Sequence, residues 1–144
     1  MSRRRLPVLA VLAVTATTAA GAFALAGGGA SAAIGRDSYS NCLRHAQSTF
    51  EMDQCVATER KRLKPLLAAA YNKLLTDPDS NKHRRHLIVV SQNAWNTYVK
   101  HDCIYAGSAA QGGTLQPVLA GECIVTRTRS RINDLRAFAV PLGR

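Results

Sequence analysis

The sequence predicts an all-α fold: a small helical bundle of about three long helices, held by disulfide bonds and preceded by an N-terminal signal segment. Three observations predict it. Apolar residues recur at spacings of three, four and seven in three long stretches, which is a helical period. No stretch of useful length alternates with the period of two that marks a strand. The four cysteines are an even number, as in disulfide-bonded domains.

The N-terminus has the pattern of an export signal. Arg3, Arg4 and Arg5 precede the uncharged residues 6–26, and Ala30-Ser31-Ala32 offers small residues for cleavage. We therefore predict a signal peptide over residues 1–32, whose removal lowers the formal net charge from +10 to +7. The alternative is a retained anchor, because residues 6–26 are just long enough to span a membrane.

The length of 144 residues suits one domain, which we place at residues 42–140 after a flexible leader at 33–41. We expect a short helical turn at Asn41–Gln47, around Cys42. Ser48 and Glu51 then fit a capping box that starts the first long helix. Pro65 predicts a kink or the start of a new helix, and Thr76–Ser80 has turn chemistry. The apolar face of this helix comprises Met52, Val56, Leu63, Leu67, Ala70 and Leu74.

The next helix is expected to begin between Asp79 and Lys82 and to end near Cys103 or Tyr105. Its predicted apolar stripe comprises Leu87, Val90, Ala94, Trp95, Tyr98 and Val99. Trp95 could stack on a ligand, but its place in the stripe favours the core. A loop is predicted at Gly107–Gly113. The last helix should begin near Thr114, with Pro117 in its first turn, and should bury Val118, Leu119, Val125, Ile132 and Leu135.

The cysteines of an exported chain are expected to form disulfides. Of the three connectivities, we predict Cys42–Cys55 and Cys103–Cys123, because the members of each pair are close in sequence. The alternative is a metal site that combines cysteines with histidines. No Cys-x-x-Cys pair occurs and the spacings match no zinc signature, so we expect no metal and no cofactor. The histidines are His45, His83, His86 and His101.

Motifs and charge restrict the function. No nucleophile triad, metal signature or phosphate-binding loop is present, so we predict no catalytic residues and no enzyme activity. The positive charge attracts anionic partners, and because an exported chain rarely meets nucleic acid, anionic envelope polymers or an acidic protein are the better candidates. The alternative is an ordinary solvated basic face. The candidate basic surface comprises Arg60, Arg62, Arg84, Arg85, Arg127 and Arg131.

Five short motifs occur in order along the chain, and together they resemble the N-terminal domain of the LprI-type lysozyme inhibitor family. The resemblance runs from Cys42 to about Leu135. Lys64 and Ala68 depart from it, since they stand where the family usually has an acidic residue and Asn. The motif residues are Cys42, Thr49, Met52 and Cys55; Leu67 and Tyr71; Ser91-Gln92-Asn93-Ala94-Trp95 with Tyr98 and Cys103; Gly112-Gly113-Thr114; and Cys123, Thr128, Arg131 and Leu135.

This resemblance implies a secreted or envelope-located helical domain that binds lysozyme or another cell-wall hydrolase without catalysis. No cysteine lies at the cleavage site, so we do not expect a lipoprotein, and we expect no membrane span after cleavage. Inhibition needs a group that projects into the sugar-binding cleft, and a loop closed by a disulfide would be pre-organised for it. The alternative is a plain connection between helices. The candidate binding loop comprises Ser108, Gln111, Gly112, Gly113 and Thr114.

Overall fold

Four helices make up the part of the protein that the computed structural model describes, residues 38–139. No strand occurs within that range, which confirms the predicted all-α class. The predicted signal peptide, residues 1–32, lies outside the described residues. The helices are α1 at residues 38–45, α2 at Thr49–Leu75, α3 at Lys82–Ser108 and α4 at Gln116–Phe138.

The first helix begins at residue 38, before the turn expected at Asn41–Gln47, and ends at residue 45. Residues 38–41, which we assigned to the flexible leader, are helical and belong to α1. Tyr39 and Leu43 lie one helical turn apart and pack into the same apolar cluster as α2 and α4. The Cys42–Cys55 disulfide joins α1 to α2, as predicted. The burial of Tyr39, which no spacing argument identified, anchors the part of α1 that precedes Cys42 to the core.

Helix α2 starts at the predicted cap and does not break at Pro65. The Ser48 side chain accepts a hydrogen bond from the Glu51 amide at 3.2 Å, and the Glu51 carboxylate accepts from the Gln47 amide at 2.6 Å. The helix runs without interruption from Thr49 to Leu75. Pro65 is exposed, so the Lys61 carbonyl that lacks its usual donor can hydrogen-bond to water instead.

The buried face of α3 differs from the predicted stripe. Leu87 and Val90 are half-exposed, whereas Gln92 is buried. The face towards the bundle is turned by about one residue position, roughly 100° around the helix axis. Apolar residues lie on several sides of α3, so hydrophobicity alone does not select a face. The residues that contribute to the buried or partly buried face are Ile88, Gln92, Trp95, Val99, Cys103 and Gly107.

Helix α4 is the centre of the bundle and packs along both α2 and α3, which have few contacts with each other. Gly121 allows α4 to approach α2 closely, because a Cβ at that position would lie 2.3 Å from Val56 Cγ1. Two apolar clusters result. The first includes Val56, Leu63, Val118, Val125 and Ile132, and the second includes Ala70, Leu74 and Leu135. The predicted faces of α2 and α4 thus lie in or against these clusters except for Leu119, which is only partly buried and belongs to neither cluster.

The α3–α4 hairpin is tighter than expected. Helix α3 continues to Ser108, so Gly107, which we expected in a loop, lies in its last turn and contacts α4. The Cys103–Cys123 disulfide bridges these two helices, as predicted. Within the described range, none of the helices has the length and apolarity needed to cross a bilayer.

Candidate functional site

The connection between α3 and α4 brings the five candidate loop residues to one end of the bundle. All five are exposed. The backbone folds back on itself in successive tight turns, so the segment has little freedom despite its exposure. Four backbone hydrogen bonds close these turns: Ala110 to Gly107 at 3.1 Å, Gln111 to Ser108 at 3.1 Å, Gly113 to Ala110 at 2.9 Å and Gln116 to Gly113 at 3.1 Å.

Two side chains brace this loop. The Gln116 Oε1 atom accepts a hydrogen bond from the Gly112 amide at 3.0 Å. The Ser108 hydroxyl donates to the Tyr105 carbonyl at 2.6 Å, across the last turn of α3. Gly112 has a φ of +79°, a left-handed conformation that glycine adopts without steric cost. The turn therefore favours glycine at this position.

Gln111 and Thr114 provide the polar side chains that the loop can offer to a partner. Neither side chain forms a hydrogen bond with any residue in the range 38–139. The Cys103–Cys123 disulfide ties the two helices that carry the loop, five residues before Ser108 and nine after Thr114. The loop thus presents two available polar groups on a covalently braced support.

The six arginines of the candidate basic surface do not form one surface. Arg60, Arg84 and Arg85 are exposed. Arg127 is also exposed, but it donates to the Asp102 carboxylate at 2.8 Å and lies 5.5 Å from the centre of the Tyr98 ring. Arg131 is buried, and Arg62 is partly exposed but paired with Glu59, so the surface that we predicted from sequence is reduced to separate exposed cations.

Arg62 is bound to a buried carboxylate that the sequence analysis did not identify. Glu59 is 4% exposed and accepts hydrogen bonds from Arg62 at 2.6 and 2.7 Å and from Arg129 at 2.9 Å. Desolvation raises the pKa of Glu59, but the hydrogen bonds and charges of the two arginines outweigh it and hold the pKa below its usual value. The spacing of three residues between Glu59 and Arg62 indicates that they can pair on one helix. The burial of Glu59, however, also depends on Arg129 from α4.

Tyr39 covers this ionic cluster from α1. The Arg129 guanidinium lies 4.9 Å from the centre of the Tyr39 ring. The Tyr39 hydroxyl is buried and has no hydrogen-bond partner within residues 38–139. Desolvation, together with the nearby Glu122 carboxylate, raises the pKa of Tyr39 to about 12 against the opposing effect of Arg129. Tyr39 is therefore neutral and acts as a core residue.

Arg131 is buried rather than part of an exposed basic surface. It is 7% exposed, and its guanidinium donates to Gln92 Oε1 at 3.0 Å and to Ser91 Oγ at 2.9 Å. Desolvation lowers the pKa of Arg131, and the Asp134 charge partly opposes this effect. Two of the motifs recognised in the sequence, the Ser91-Gln92 segment and the end of α4, thus meet through this arginine.

One cluster of metal-ligating atom types occurs in the described part of the chain, at Asp102, Cys103 and Cys123. Both cysteines are in the disulfide and offer no thiolate. The cluster therefore supplies a single carboxylate, whereas a structural zinc site needs four ligands. The four histidines of the sequence are all exposed and none belongs to this cluster.

Comparison with known proteins identifies one family. The family model described as "Lysozyme inhibitor LprI" matches residues 40–135, which is more than half of the chain. No curated protein and no solved structure matches the chain. The matched range contains both disulfides, all of α2 and α3, and α4 as far as Leu135.

Proposed function

The chain belongs to the LprI lysozyme inhibitor family, and we propose that it binds a lysozyme or another cell-wall hydrolase, without catalysis, through the loop between α3 and α4. One observation favours this loop as the binding surface. The loop is exposed, closed by successive backbone hydrogen bonds and supported by the Cys103–Cys123 disulfide. A loop that is already ordered loses little conformational freedom on binding, which favours affinity.

The chemistry of the loop suits an acidic cleft. Glycoside hydrolases of this kind act with a pair of carboxyl groups at the scissile bond. The Thr114 hydroxyl and the Gln111 amide can each donate a hydrogen bond to a carboxylate. Because the small neighbours Gly112 and Gly113 add no bulk, these two donors could enter a groove that is shaped for a sugar chain.

We place the protein outside the cytoplasm, either secreted or in the cell envelope. The two disulfides support this location, because such bonds persist in oxidising compartments. The signal-like pattern of residues 1–32 points to the same compartment. The first cysteine, Cys42, lies ten residues after the proposed cleavage at Ala32, so acylation of a new N-terminal cysteine is not part of this proposal.

Net charge makes binding to lysozyme and binding to an anionic polymer distinguishable. Common animal lysozymes are strongly basic, so a chain with a charge of +7 after signal removal is repelled at long range. The association rate with such a lysozyme should therefore rise when salt is added, because salt screens repulsion. Affinity for an anionic wall polymer should instead fall steeply with salt, and that result without lysozyme binding would replace the proposal.

The direct test is a cell-wall lysis assay with the oxidised, purified protein. We expect inhibition of lysozyme at a near-stoichiometric ratio. The double variant Gln111→Ala, Thr114→Ala should weaken inhibition about tenfold or more, because two hydrogen bonds of about 1 kcal/mol each are removed. Gly112→Ala should also weaken it, since a side chain at a φ of +79° strains the turn.

A matched control lies on the connection between α2 and α3. Pro78 and Asp79 are exposed, so the double variant Pro78→Ala, Asp79→Asn changes a loop at the other end of the bundle. We expect it to inhibit like the unaltered protein. Full inhibition by the Gln111 and Thr114 double variant would show that this loop is not the binding surface.

A further inference from the structure

A small pocket opens at the end of the bundle opposite the proposed binding loop, where α2 ends, α3 begins and α4 ends. Its volume is about 220 Å³, below the roughly 300–1,000 Å³ of pockets for drug-sized ligands. Its lining is apolar on several sides and polar at a few points. The residues that the argument uses are Leu87, Ile88 and Phe138 on the apolar side and Asp77, Arg84 and Ser91 on the polar side.

A buried positive charge adjoins this pocket. Arg131 has no carboxylate within 4.0 Å among residues 38–139, and both of its hydrogen-bond acceptors there, Gln92 and Ser91, are neutral. Buried charges in proteins are normally paired, because an unpaired one loses its hydration without compensation. Among the described residues the Asp134 charge opposes the lowering of the pKa of Arg131, but no carboxylate forms a direct ion pair with the buried guanidinium.

Ser91 connects this charge to the pocket. Its Oγ accepts a hydrogen bond from Arg131 at 2.9 Å, so its own hydroxyl hydrogen is available for another acceptor. Ser91 also lines the pocket together with Arg84, whose side chain is not paired with any carboxylate in the described range. Two positively polarised groups thus face one small, largely apolar space.

We propose that this pocket binds a small aliphatic carboxylate, with its charged end at Arg84 and Ser91 and its tail against Leu87, Ile88 and Phe138. The Asp77 carboxylate also lines the pocket, and it disfavours an ion with two negative charges, such as phosphate. The same chemistry occurs in a free short-chain carboxylic acid and in the carboxyl terminus of a peptide. This inference is independent of lysozyme binding, because the pocket and the loop lie at opposite ends.

Titration of the oxidised full chain, followed by amide chemical shifts, tests the proposal. The probes are hexanoate and N-acetyl-alanyl-alanine, each compared with its uncharged amide. At least one carboxylate should give saturable shifts around Ser91 and Phe138, while its amide should not. Saturation by hexanoate alone assigns a free acid, and saturation by the dipeptide alone assigns a peptide terminus. Equal responses to carboxylate and amide, or no saturable response to either carboxylate, would overturn the proposal.

Two variants test the assigned contacts. Arg84→Gln should weaken binding of the carboxylate about tenfold, because a hydrogen bond to a charged group is lost. Ser91→Ala should weaken it as well, but it also removes one of the two acceptors of Arg131, so Arg84→Gln, which leaves both acceptors intact, is the deciding variant. Arg60→Gln is the control, since it removes an exposed arginine that does not line the pocket. Unchanged affinity in Arg84→Gln would refute the site.

Discussion

Glu59 connects three cationic or aromatic side chains from different parts of the chain. Arg62 belongs to the same helix, Arg129 comes from α4, and Tyr39 of α1 stacks on Arg129. A carboxylate that is 4% exposed would be unfavourable without such partners. Its hydrogen bonds therefore determine how α2 and α4 align at this level of the bundle.

Replacing this carboxylate by a neutral amide should destabilise the fold. We expect Glu59→Gln to lower the free energy of unfolding at pH 7 by about 1–3 kcal/mol, because it leaves Arg62 and Arg129 without a charged acceptor. Urea denaturation measures the effect. Asp53→Asn removes an exposed carboxylate from the same helix and should change stability by less than about 0.5 kcal/mol. Equal effects of the two changes would argue against the role of Glu59.

We also expect the stability difference between the unaltered protein and Glu59→Gln to depend on pH. The pKa of Glu59 is lowered in the folded state from its ordinary value of 4.5. The native ion pair therefore contributes its full stability above about pH 4.5 and loses it as the pH falls through the lower folded pKa. Glu59→Gln should lose less stability than the unaltered protein between pH 7 and about pH 3. Parallel curves for the two proteins would contradict this assignment.

At the scale of helices, the contact between α2 and α4 depends on the absence of a side chain. Gly121 is buried, and Val56, which faces it, is 1% exposed. Valine is stiff at χ1, so its methyl group cannot move aside without shifting the backbone. The glycine thus sets the distance between the two helices.

Gly121→Ala should destabilise the protein by about 1–3 kcal/mol through overpacking, although alanine favours helices. Thermal or urea unfolding measures the change. Adding Val56→Ala should relieve the clash, so that the double variant is more stable than the sum of the single effects predicts. Ser130→Ala, on the exposed side of α4, is the control. Simple additivity of the Gly121 and Val56 changes would exclude steric contact as the cause.

Across the whole molecule, both disulfides lie towards the end that carries the α3–α4 loop. Consecutive long helices run in opposite directions along the bundle, so the start of α2, the end of α3 and the start of α4 are at that end. Cys42–Cys55 braces α1 against α2 there, and Cys103–Cys123 braces the loop itself. The opposite end, with the pocket, is held by side-chain packing.

Because of this arrangement, we expect the two disulfides to contribute similarly to stability but differently to inhibition. The two bridges close segments of 13 and 20 residues, so replacing either pair by alanine should cost about 3 kcal/mol of unfolding free energy. At a temperature where both variants remain folded, only the loss of Cys103–Cys123 should weaken inhibition of lysozyme. Circular dichroism and the lysis assay measure the two quantities. Equal inhibition by the two variants would show that the loop needs no covalent brace.

Much of the fold follows from local information. The spacing of Val56, Leu63, Ala70 and Leu74 predicted the buried face of α2, and the capping box predicted its start, because helix hydrogen bonds and caps join residues close in sequence. Proximity in sequence also predicted both disulfides. The candidate loop residues were predicted to be together because they are neighbours in the chain, while their role in binding rests on the family resemblance.

The packing of α3 required knowledge of its neighbours. Gln92 is buried because Arg131, 39 residues later, donates to it, and Glu59 is buried because Arg129 lies 70 residues away. The contact between Gln92 and Arg131 also withdraws Arg131 from the surface. Helical periodicity indicates which residues share a face. The energy that selects which face is buried comes from partners that only folding brings into contact.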